Sequence, residues 1–237
     1  MSKKILISLS IIGIVSAIVI GATMAYFRDT ETSTGNTLTA GSIDLKIDLQ
    51  CPDDLCNLSL GDLYGQSFFN ECDIKPGDEG EVTISWHIYN NNAWARIRMA
   101  DLHDIENLCT EPEVESGDDT CEELGGELGQ YLTFTFWMDE GQNSGWQCPD
   151  NKPCNDDPLE GDNILNGIEE VFATSTAKEM VENPVVLPIE LQGSTTYYLG
   201  MKWQIPEDAG NIIQTDSLTG KIIMEAVQSR NNPGKEF

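Results

Sequence analysis

The stretch that decides the fold runs from residue 81 to residue 99 and reads EVTISWHIYNNNAWARIRM. In its first half every second residue is apolar, namely Val82, Ile84, Trp86 and Ile88. Three asparagines at 90–92 end this pattern, which resumes over residues 95–99 with arginines between the apolar positions. A period of two places alternate side chains on opposite faces of a β-strand. The stretch therefore predicts two strands, each with one buried face.

The same alternation recurs over residues 44–49, 131–138, 197–203 and 218–226. The loops between these segments are rich in turn-forming residues, and two of them, 109–129 and 141–163, are long and acidic. Lys75-Pro76-Gly77-Asp78 predicts a tight turn, because proline fixes φ and glycine tolerates positive φ. Together these features predict an all-β antiparallel sandwich with at most one or two short helices, one of them over 175–182 with Thr174 or Ser175 as its cap. Periodicity alone leaves open whether the sandwich is a jelly roll or immunoglobulin-like.

The chain is strongly acidic, with 40 Asp and Glu residues against 13 Lys and Arg and a formal charge of −27. Such a charge repels nucleic acids and anionic membranes. The composition therefore predicts no nucleic-acid partner, and contact with a membrane only during export. A salty environment, bound divalent cations or a solvated acidic surface would each account for the excess of acidic residues.

The N-terminus has the three parts of a secretory signal. Two lysines precede an uncharged, largely apolar run over residues 5–27, and small residues lie near its end at Thr23 and Ala25. We predict cleavage after Ala25, with Tyr26 as the new N-terminus. Removing 25 of the 237 residues leaves 212, with 11 basic against 40 acidic residues and a charge of −29. A retained membrane anchor is the alternative, since about 20 apolar residues span a bilayer.

Seven cysteines follow the predicted cleavage site, and exported proteins commonly keep disulfides. The spacings predict three stapled loops, closed by Cys51–Cys56, Cys109–Cys121 and Cys148–Cys154. Cys72 is left over, either free or in place of one partner of the first pair. A zinc site is the alternative, but the spacings lack paired CxxC motifs and adjacent histidines.

The sequence carries no complete catalytic motif, and we predict no catalytic residues and no cofactor. His87, His103 and Glu106 could supply three zinc ligands, but there is no HExxH pattern, and a polar strand face and a loop explain the histidines. Ser175 and Lys178 match SxxK, but the companion SDN and KTG motifs are absent. The alternative to having no cofactor is a calcium site in the second acidic loop, at Asp156, Asp157, Glu160 and Asp162. A bare acidic loop explains the same residues.

Three segments resemble TasA- and camelysin-like proteins. The segments AYFRDT at 25–30 and NTLTAGSIDL at 36–45 resemble the start of their mature chains. KPGD at 75–78 resembles an internal turn of the family. MEAVQ at 224–228 resembles the end of the family's last strand, which reads FEA-x-Q. The resemblance implies a jelly roll, export through a SipW-type signal peptidase and assembly into fibres by donor-strand exchange. It also implies the alternative of an extracellular metallopeptidase, because camelysin-like proteins have been classed so. Residues from about 102 to 191 carry no family motif.

These observations predict a secreted structural protein of the cell surface or biofilm matrix, whose partners are its own copies and the signal peptidase. The segment 26–41 would be the donor strand, since its central part is rich in Thr and lacks Pro, with Gly35 and Gly41 as hinges. Its pairing residues would be Tyr26, Phe27, Thr30, Thr32 and Thr34. The signal peptide would then span 1–25, the sandwich domain 42–230 and a flexible tail 231–237. A monomeric adhesive module that uses the long loops is a third hypothesis.

Overall fold

The computed structural model describes residues 28–32, 43–50, 58–63, 73–121, 125–141, 161–162, 164–167 and 169–237, together with 65, 67–69, 71 and 159. The first five strands in this part of the chain are β1 (Arg28–Thr32), β2 (Ile43–Gln50), β3 (Leu58–Gly61), β4 (Glu79–Asn90) and β5 (Ala93–Ile105). They are followed by β6 (Thr133–Met138), β7 (Val171–Thr176), β8 (Val185–Val186), β9 (Thr195–Gln204) and β10 (Ser217–Gln228). The helices are α1 (Glu111–Glu115), α2 (Leu128–Tyr131), α3 (Glu179–Glu182) and the 3₁₀ segment η1 (Glu207–Ile213).

The strands form two antiparallel sheets that enclose one core. The four-stranded sheet has the order β1-β10-β5-β8, and the six-stranded sheet has the order β3-β2-β4-β9-β6-β7. Both sheets supply the core: Trp86 and Phe136 come from the larger one, and Ile97 and Met224 from the smaller one. The prediction of an all-β antiparallel sandwich is confirmed. The jelly-roll connection that the resemblance implies stays a prediction.

β4 is buried on both faces, although its alternation suggests one face in water. Every side chain from 82 to 88 is buried, including Thr83 and His87. The polar face finds partners inside the protein: Thr83 Oγ1 donates to Asp139 Oδ2 at 2.7 Å. Because β4 lies between β2 and β9 in the six-stranded sheet, residues distant in sequence reach its polar face. Alternation thus predicts which side chains share a face, but not whether that face is covered.

A glycine in β9 makes room for a buried indole. Gly200 lies opposite Trp137 in the pairing of β9 with β6. A Cβ at Gly200 would lie 2.0 Å from Cε2 of Trp137, whose side chain has no exposed surface. Any side chain at this position would therefore displace the indole.

The Lys75–Asp78 segment forms the predicted turn and leads directly into β4. Gly77 has a φ of +91°, which favours glycine. The N–H of Asp78 donates to the oxygen of Lys75 at 3.0 Å, and the N–H of Lys75 donates to Asp78 Oδ2 at 2.8 Å. Both the backbone and the aspartate side chain therefore close the turn.

The described residues contain three one-turn α-helices and η1, more than the one or two short helices expected. α1 and α2 lie inside the segment 109–129, for which the sequence predicts only a loop. α1 begins after Thr110, whose backbone N–H donates to the carboxylate of Glu113. A single turn held by such a bond has no room for the apolar periodicity that marks a longer helix.

The predicted helix over 175–182 is shorter in the structure, because Ser175 and Thr176 belong to β7. The hydroxyl of Thr176 accepts a hydrogen bond from the N–H of Glu179 at 3.2 Å. Thr176, rather than Ser175 or Thr174, therefore satisfies a backbone donor at the start of α3.

The C-terminal residues 231–237 lie against the four-stranded sheet, where the sequence predicts a flexible tail. Asn232 is 1% exposed, and its backbone oxygen accepts from Trp94 Nε1 at 2.9 Å. The guanidinium of Arg96 lies 4.4 Å from the centre of the Phe237 ring. These partners come from β5, so no signal within the tail itself could predict its packing.

Candidate functional site

β1 lies at the edge of the four-stranded sheet and pairs antiparallel with β10 of the same chain. The register runs from Arg28 opposite Val227 to Thr32 opposite Ile223. Two predicted donor-strand residues, Thr30 and Thr32, thus lie in β1. The other three, Tyr26, Phe27 and Thr34, lie outside the described residues.

The strand that β1 covers would otherwise present an open edge. The side chains of β10 are buried on both faces from Ile222 to Val227. β5 pairs with its other side. An uncovered strand of this kind offers unpaired N–H and C=O groups to another chain. β1 therefore covers main-chain groups of β10 that would otherwise be unpaired.

Glu225 lies in the part of β10 that β1 covers, and it is 1% exposed. Its Oε2 lies 2.5 Å from Arg96 Nε and 3.2 Å from Arg98 Nε, both in β5. The two guanidinium groups supply charge-assisted hydrogen bonds, so the chain itself balances this buried carboxylate. Glu225 is the glutamate of the MEAVQ segment, but its partners lie more than 120 positions away and carry no local signal.

A second set of acidic side chains gathers near the start of β10. This carboxylate cluster consists of Asp104, Glu106, Asp118, Glu127 and Asp216. Asp104 and Glu106 lie at the end of β5, Glu127 directly precedes α2, and Asp216 directly precedes β10. One oxygen from each of Glu106, Glu127 and Asp216 lies within 4.8 Å of the other two. Sequence reasoning missed the cluster, because its members are spread over more than 100 residues.

Backbone donors hold one oxygen each of Asp216 and Glu106. Asp216 Oδ2 accepts from the N–H groups of Glu127 and Leu128, at 2.7 and 3.0 Å. Glu106 Oε1 accepts from the N–H of Leu108 at 2.9 Å. The cluster therefore has fixed geometry before any ligand binds.

A single hydroxyl links two further members of the cluster. Thr120 Oγ1 lies 2.7 Å from Asp118 Oδ1 and 2.7 Å from Glu127 Oε1, and it has one proton to donate. The N–H of Thr120 donates to the same oxygen of Asp118 at 2.8 Å. Thr120 thus holds Asp118 and Glu127 close together without neutralising either carboxylate.

The remaining oxygens of four carboxylates are buried and have no hydrogen-bond partner among the described residues: Asp104 Oδ1, Glu106 Oε2, Glu127 Oε2 and Asp216 Oδ1. Burial raises the pKa of the Asp216 carboxyl to about 7, and the charges of Glu106 and Glu127 add to this rise. Burial also raises the pKa of Glu127 and that of Asp104. Burial and the neighbouring carboxylates thus favour the protonated form of Asp216 and Glu127, whereas the charge of Lys178 partly opposes the effect of burial on Asp104.

The predicted disulfide between Cys109 and Cys121 is confirmed, with 5.1 Å between the two Cα atoms. It closes the segment that contains α1 and Asp118. Cys109 also lies near Glu106 and Asp118 in a group with metal-binding spacing. Because metal binding requires a thiolate, the oxidised sulfur removes Cys109 from that group.

The comparison with known families covers nearly the whole chain. Residues 1–232 match a family model described as camelysin metallo-endopeptidase. The chain belongs to the camelysin family. No curated protein sequence matches it significantly. The resemblance to TasA- and camelysin-like proteins is thereby confirmed, and it makes this a secreted camelysin-family protein, from a family found outside the cell or at its surface.

The description of the camelysin family implies a metal-dependent peptidase, and zinc peptidases use His and Glu ligands. The described residues do not fit such a site. His87 uses both ring nitrogens, with Nε2 3.2 Å from Asp48 Oδ1 and Nδ1 3.0 Å from Thr196 Oγ1. His103 is exposed and lies on the opposite face of β5 from Asp104. The metal-capable groups in the described part of the chain contain no histidine, and carboxylate oxygens suit hard cations rather than zinc.

The calcium site predicted for the second acidic loop of this camelysin-family chain lies mostly outside the described residues, namely at Asp156, Asp157 and Glu160. The fourth residue, Asp162, is described, and its Oδ1 accepts from the N–H of Ile164 at 2.9 Å. Nearby, burial raises the pKa of Glu169 to about 7, and the charges of Asp139 and Asp162 contribute.

The remaining predicted sites also fall outside the described residues and stay predictions. They are the signal-peptidase residues Thr23, Ala25 and Tyr26, the pairs Cys51–Cys56 and Cys148–Cys154, and Cys72. Across the part of the chain that the structure describes, no helix has the length and apolar character needed to cross a membrane.

Proposed function

We propose that this camelysin-family protein is a structural protein of the cell surface or biofilm matrix that polymerises into fibres by exchanging β1 between subunits. The observation that carries the proposal is the pairing of β1 with β10 at the edge of the four-stranded sheet. A strand that adds to such an edge gains main-chain hydrogen bonds without requiring any other change in the sheet.

The chain connectivity makes the exchange feasible. β1 has five residues, and residues 33–42 separate it from β2. The β1 of a second copy can adopt the same register on β10, so both arrangements make equivalent contacts. Exchange that passes from one subunit to the next does not close on itself and therefore gives a filament.

Polymerisation should be conditional for two reasons. A tethered strand competes for its own edge at an effective concentration in the millimolar range. The mature subunit also carries a charge of −29 if it begins at Tyr26, and copies repel one another until salt screens that charge. High local concentration with added salt should therefore favour fibres.

The test joins two copies across the exchanged pair. Thr32 of β1 and Ile223 of β10 are directly opposite in register. One variant carries Thr32→Cys and the other carries Ile223→Cys, and the two are mixed under fibre-forming conditions. Opposed antiparallel residues have Cα atoms about 4.5–5.5 Å apart, within reach of a disulfide. We expect peptide mapping of the oxidised fibres to recover a cross-link between the two different variants.

The matched control pairs Thr32→Cys with Thr219→Cys. Thr219 also lies in β10 but opposite His103, beyond the residues that β1 reaches. No cross-link is expected in this mixture. A chain that begins at Gly41 should fold but form no fibres, since it lacks β1. Equal yields of fibres from chains beginning at Gly41 and at Tyr26 would overturn the proposal.

The alternative of an extracellular metallopeptidase is favoured only by the description of the family. A casein assay on the mature protein, with and without chelator, distinguishes it from the structural function. Chelator-sensitive hydrolysis by homogeneous protein would support the peptidase.

A further inference from the structure

Three carboxylates of different segments converge on one small space. One oxygen of each of Glu106, Glu127 and Asp216 lies within 4.8 Å of the others. Oxygens that share a Ca²⁺ ion at 2.3–2.6 Å lie at most about 5 Å apart. The spacing of these carboxylates therefore matches a single shared cation.

The same carboxylates have unused, buried oxygens. Glu106 and Glu127 are 5% and 9% exposed, and Glu106 Oε2 and Glu127 Oε2 have no hydrogen-bond partner among the described residues. Asp216 Oδ1 is buried without a donor as well. A buried carboxylate oxygen without a donor is costly, so something absent from the chain itself should bind there.

In the described part of the chain, no basic side chain lies within ion-pairing distance of these three carboxylates. Among the described residues, none of the ion pairs within 4.0 Å includes Glu106, Glu127 or Asp216. The charges of Asp104 and Asp118 also act on Glu127. Glu106, Glu127 and Asp216 thus concentrate negative charge at a place where the described residues form no ion pair with them.

We propose that the carboxylate cluster binds a divalent cation, with calcium as the ion and Glu106, Glu127 and Asp216 as its protein ligands. Hard cations prefer carboxylate oxygens, and calcium accepts six to eight of them in irregular geometry, whereas magnesium demands a near-ideal octahedron. Three carboxylates from loops and strand ends, completed by water, suit the more permissive ion.

The proposed ion would join segments that are far apart in sequence. Glu106 follows β5, Glu127 precedes α2, and Asp216 precedes β10. A cation that links these ligands stabilises only the folded arrangement, so binding should raise the stability of the whole domain. The proposal does not depend on fibre formation.

The test compares the melting temperature of the mature chain in EDTA and in excess CaCl₂. At a calcium concentration about 100 times the Kd, linkage predicts a rise of about 5–10 °C for a protein of this size. Calorimetric titration of the EDTA-treated protein with CaCl₂ should show binding at the same site. MgCl₂ should give a smaller rise, and NaCl of equal ionic strength should give none.

The variant that removes the site carries Glu127→Gln and Asp216→Asn. The new amide oxygens can still accept the hydrogen bonds that Asp216 receives from the backbone and Glu127 from Thr120, so the variant should fold and melt in EDTA at least as high as the native chain. Its response to CaCl₂ should be lost. The matched control is Asp101→Asn, which removes an exposed carboxylate of β5 that is paired with Lys221 and should keep the full response.

Four outcomes would contradict the proposal. The first is that the native chain melts at the same temperature in EDTA and in CaCl₂, and the second is that NaCl reproduces the rise in melting temperature. The third is that the double variant keeps its response to CaCl₂. That result would place the ion elsewhere, for example in the acidic loop around Asp162. An equal rise with MgCl₂ would overturn the assignment to calcium while keeping a divalent site.

Discussion

The two ends of β10 differ in whether a nearby buried carboxylate has a basic partner. Near its C-terminal end, Glu225 is almost fully buried but contacts Arg96 and Arg98. Directly before its start, Asp216 joins Glu106 and Glu127, and none of the described residues forms an ion pair with these three.

The difference shows that burial alone does not decide what a carboxylate does. Where the neighbouring strand places guanidinium groups alongside, the charge is neutralised within the fold and contributes to structure. Where it does not, the group must take up a proton or an ion from solution. Substitutions at the two ends should therefore change stability with opposite sign.

The largest effect is expected at the paired end. Glu225→Gln leaves two arginines on β5 without their shared counterion and should lower the free energy of unfolding by about 3 kcal/mol. Urea denaturation of the mature chain measures the change. The control is Glu79→Gln, which breaks an exposed pair with Lys202 and should cost below about 1 kcal/mol. Equal small losses in both variants would mean that the contacts of Glu225 with Arg96 and Arg98 stabilise the fold no more than an exposed ion pair does.

A somewhat smaller loss of unfolding free energy is expected when the Cys109–Cys121 disulfide beside the carboxylate cluster is removed. Replacing both Cys109 and Cys121 by Ser should cost about 2–3 kcal/mol, since the cross-link closes a loop with a sequence separation of 12. Hydrogen exchange should accelerate at Thr120 and Glu127 but not over 223–227 in β10. Equal acceleration at both places would show that the two ends of β10 do not unfold separately.

The unpaired end should respond in the opposite direction. In EDTA, Asp216→Asn relieves repulsion with Glu106 and Glu127 while an oxygen still accepts the backbone hydrogen bonds. We expect the free energy of unfolding to rise by about 1 kcal/mol in urea titrations at neutral pH. Asp101→Asn, which loses a pair with Lys221, should give no such gain. A loss as large as that of Glu225→Gln would remove the contrast between the two ends.

The smallest effect concerns Glu169, whose pKa burial raises to about 7. A carboxyl ordinarily titrates near pH 4.3, so between that pH and about 7 the folded chain holds a proton that the unfolded chain has lost. Stability from this group is therefore present at low pH and declines as the pH rises to about 7. Partial exposure should keep the decline below about 1 kcal/mol.

Glu169→Gln should flatten this part of the pH profile, measured as the change in unfolding free energy between acidic and neutral pH. The profile of Glu79→Gln should match that of the native chain. An unchanged slope in Glu169→Gln would assign the pH dependence to other groups.

Much of the fold could be predicted because its signals are local. The alternation over 81–99 predicted β4 and most of β5, and KPGD predicted the turn before them. The pairing of Cys109 with Cys121 followed from two cysteines that flank one loop. The helices α1 and α2 were not predicted, because each is a single turn held by a few side-chain contacts.

The site could not be predicted in the same way. The sequence pointed to Thr30 and Thr32 as strand residues, but not to the edge of β10 on which they lie. The calcium site expected in the acidic loop around Asp162 lies mostly outside the described residues and stays a prediction, and no local pattern indicated that Glu106 and Glu127 have buried oxygens without hydrogen-bond partners. Acidic residues are common along this chain, so their number in one segment does not report which of them lose contact with water.

The sequence by itself determined the charge, the long alternating strands and the Lys75–Asp78 turn, since these depend on residue type and on backbone geometry over a few neighbouring positions. Only the tertiary structure decided which buried carboxylates have partners. Glu225 contacts Arg96 of the neighbouring strand β5, while Asp216 lies near Glu106 and Glu127. The physical reason is that the energy of a buried charge depends on everything packed around it, and the residues that matter come from distant parts of the chain.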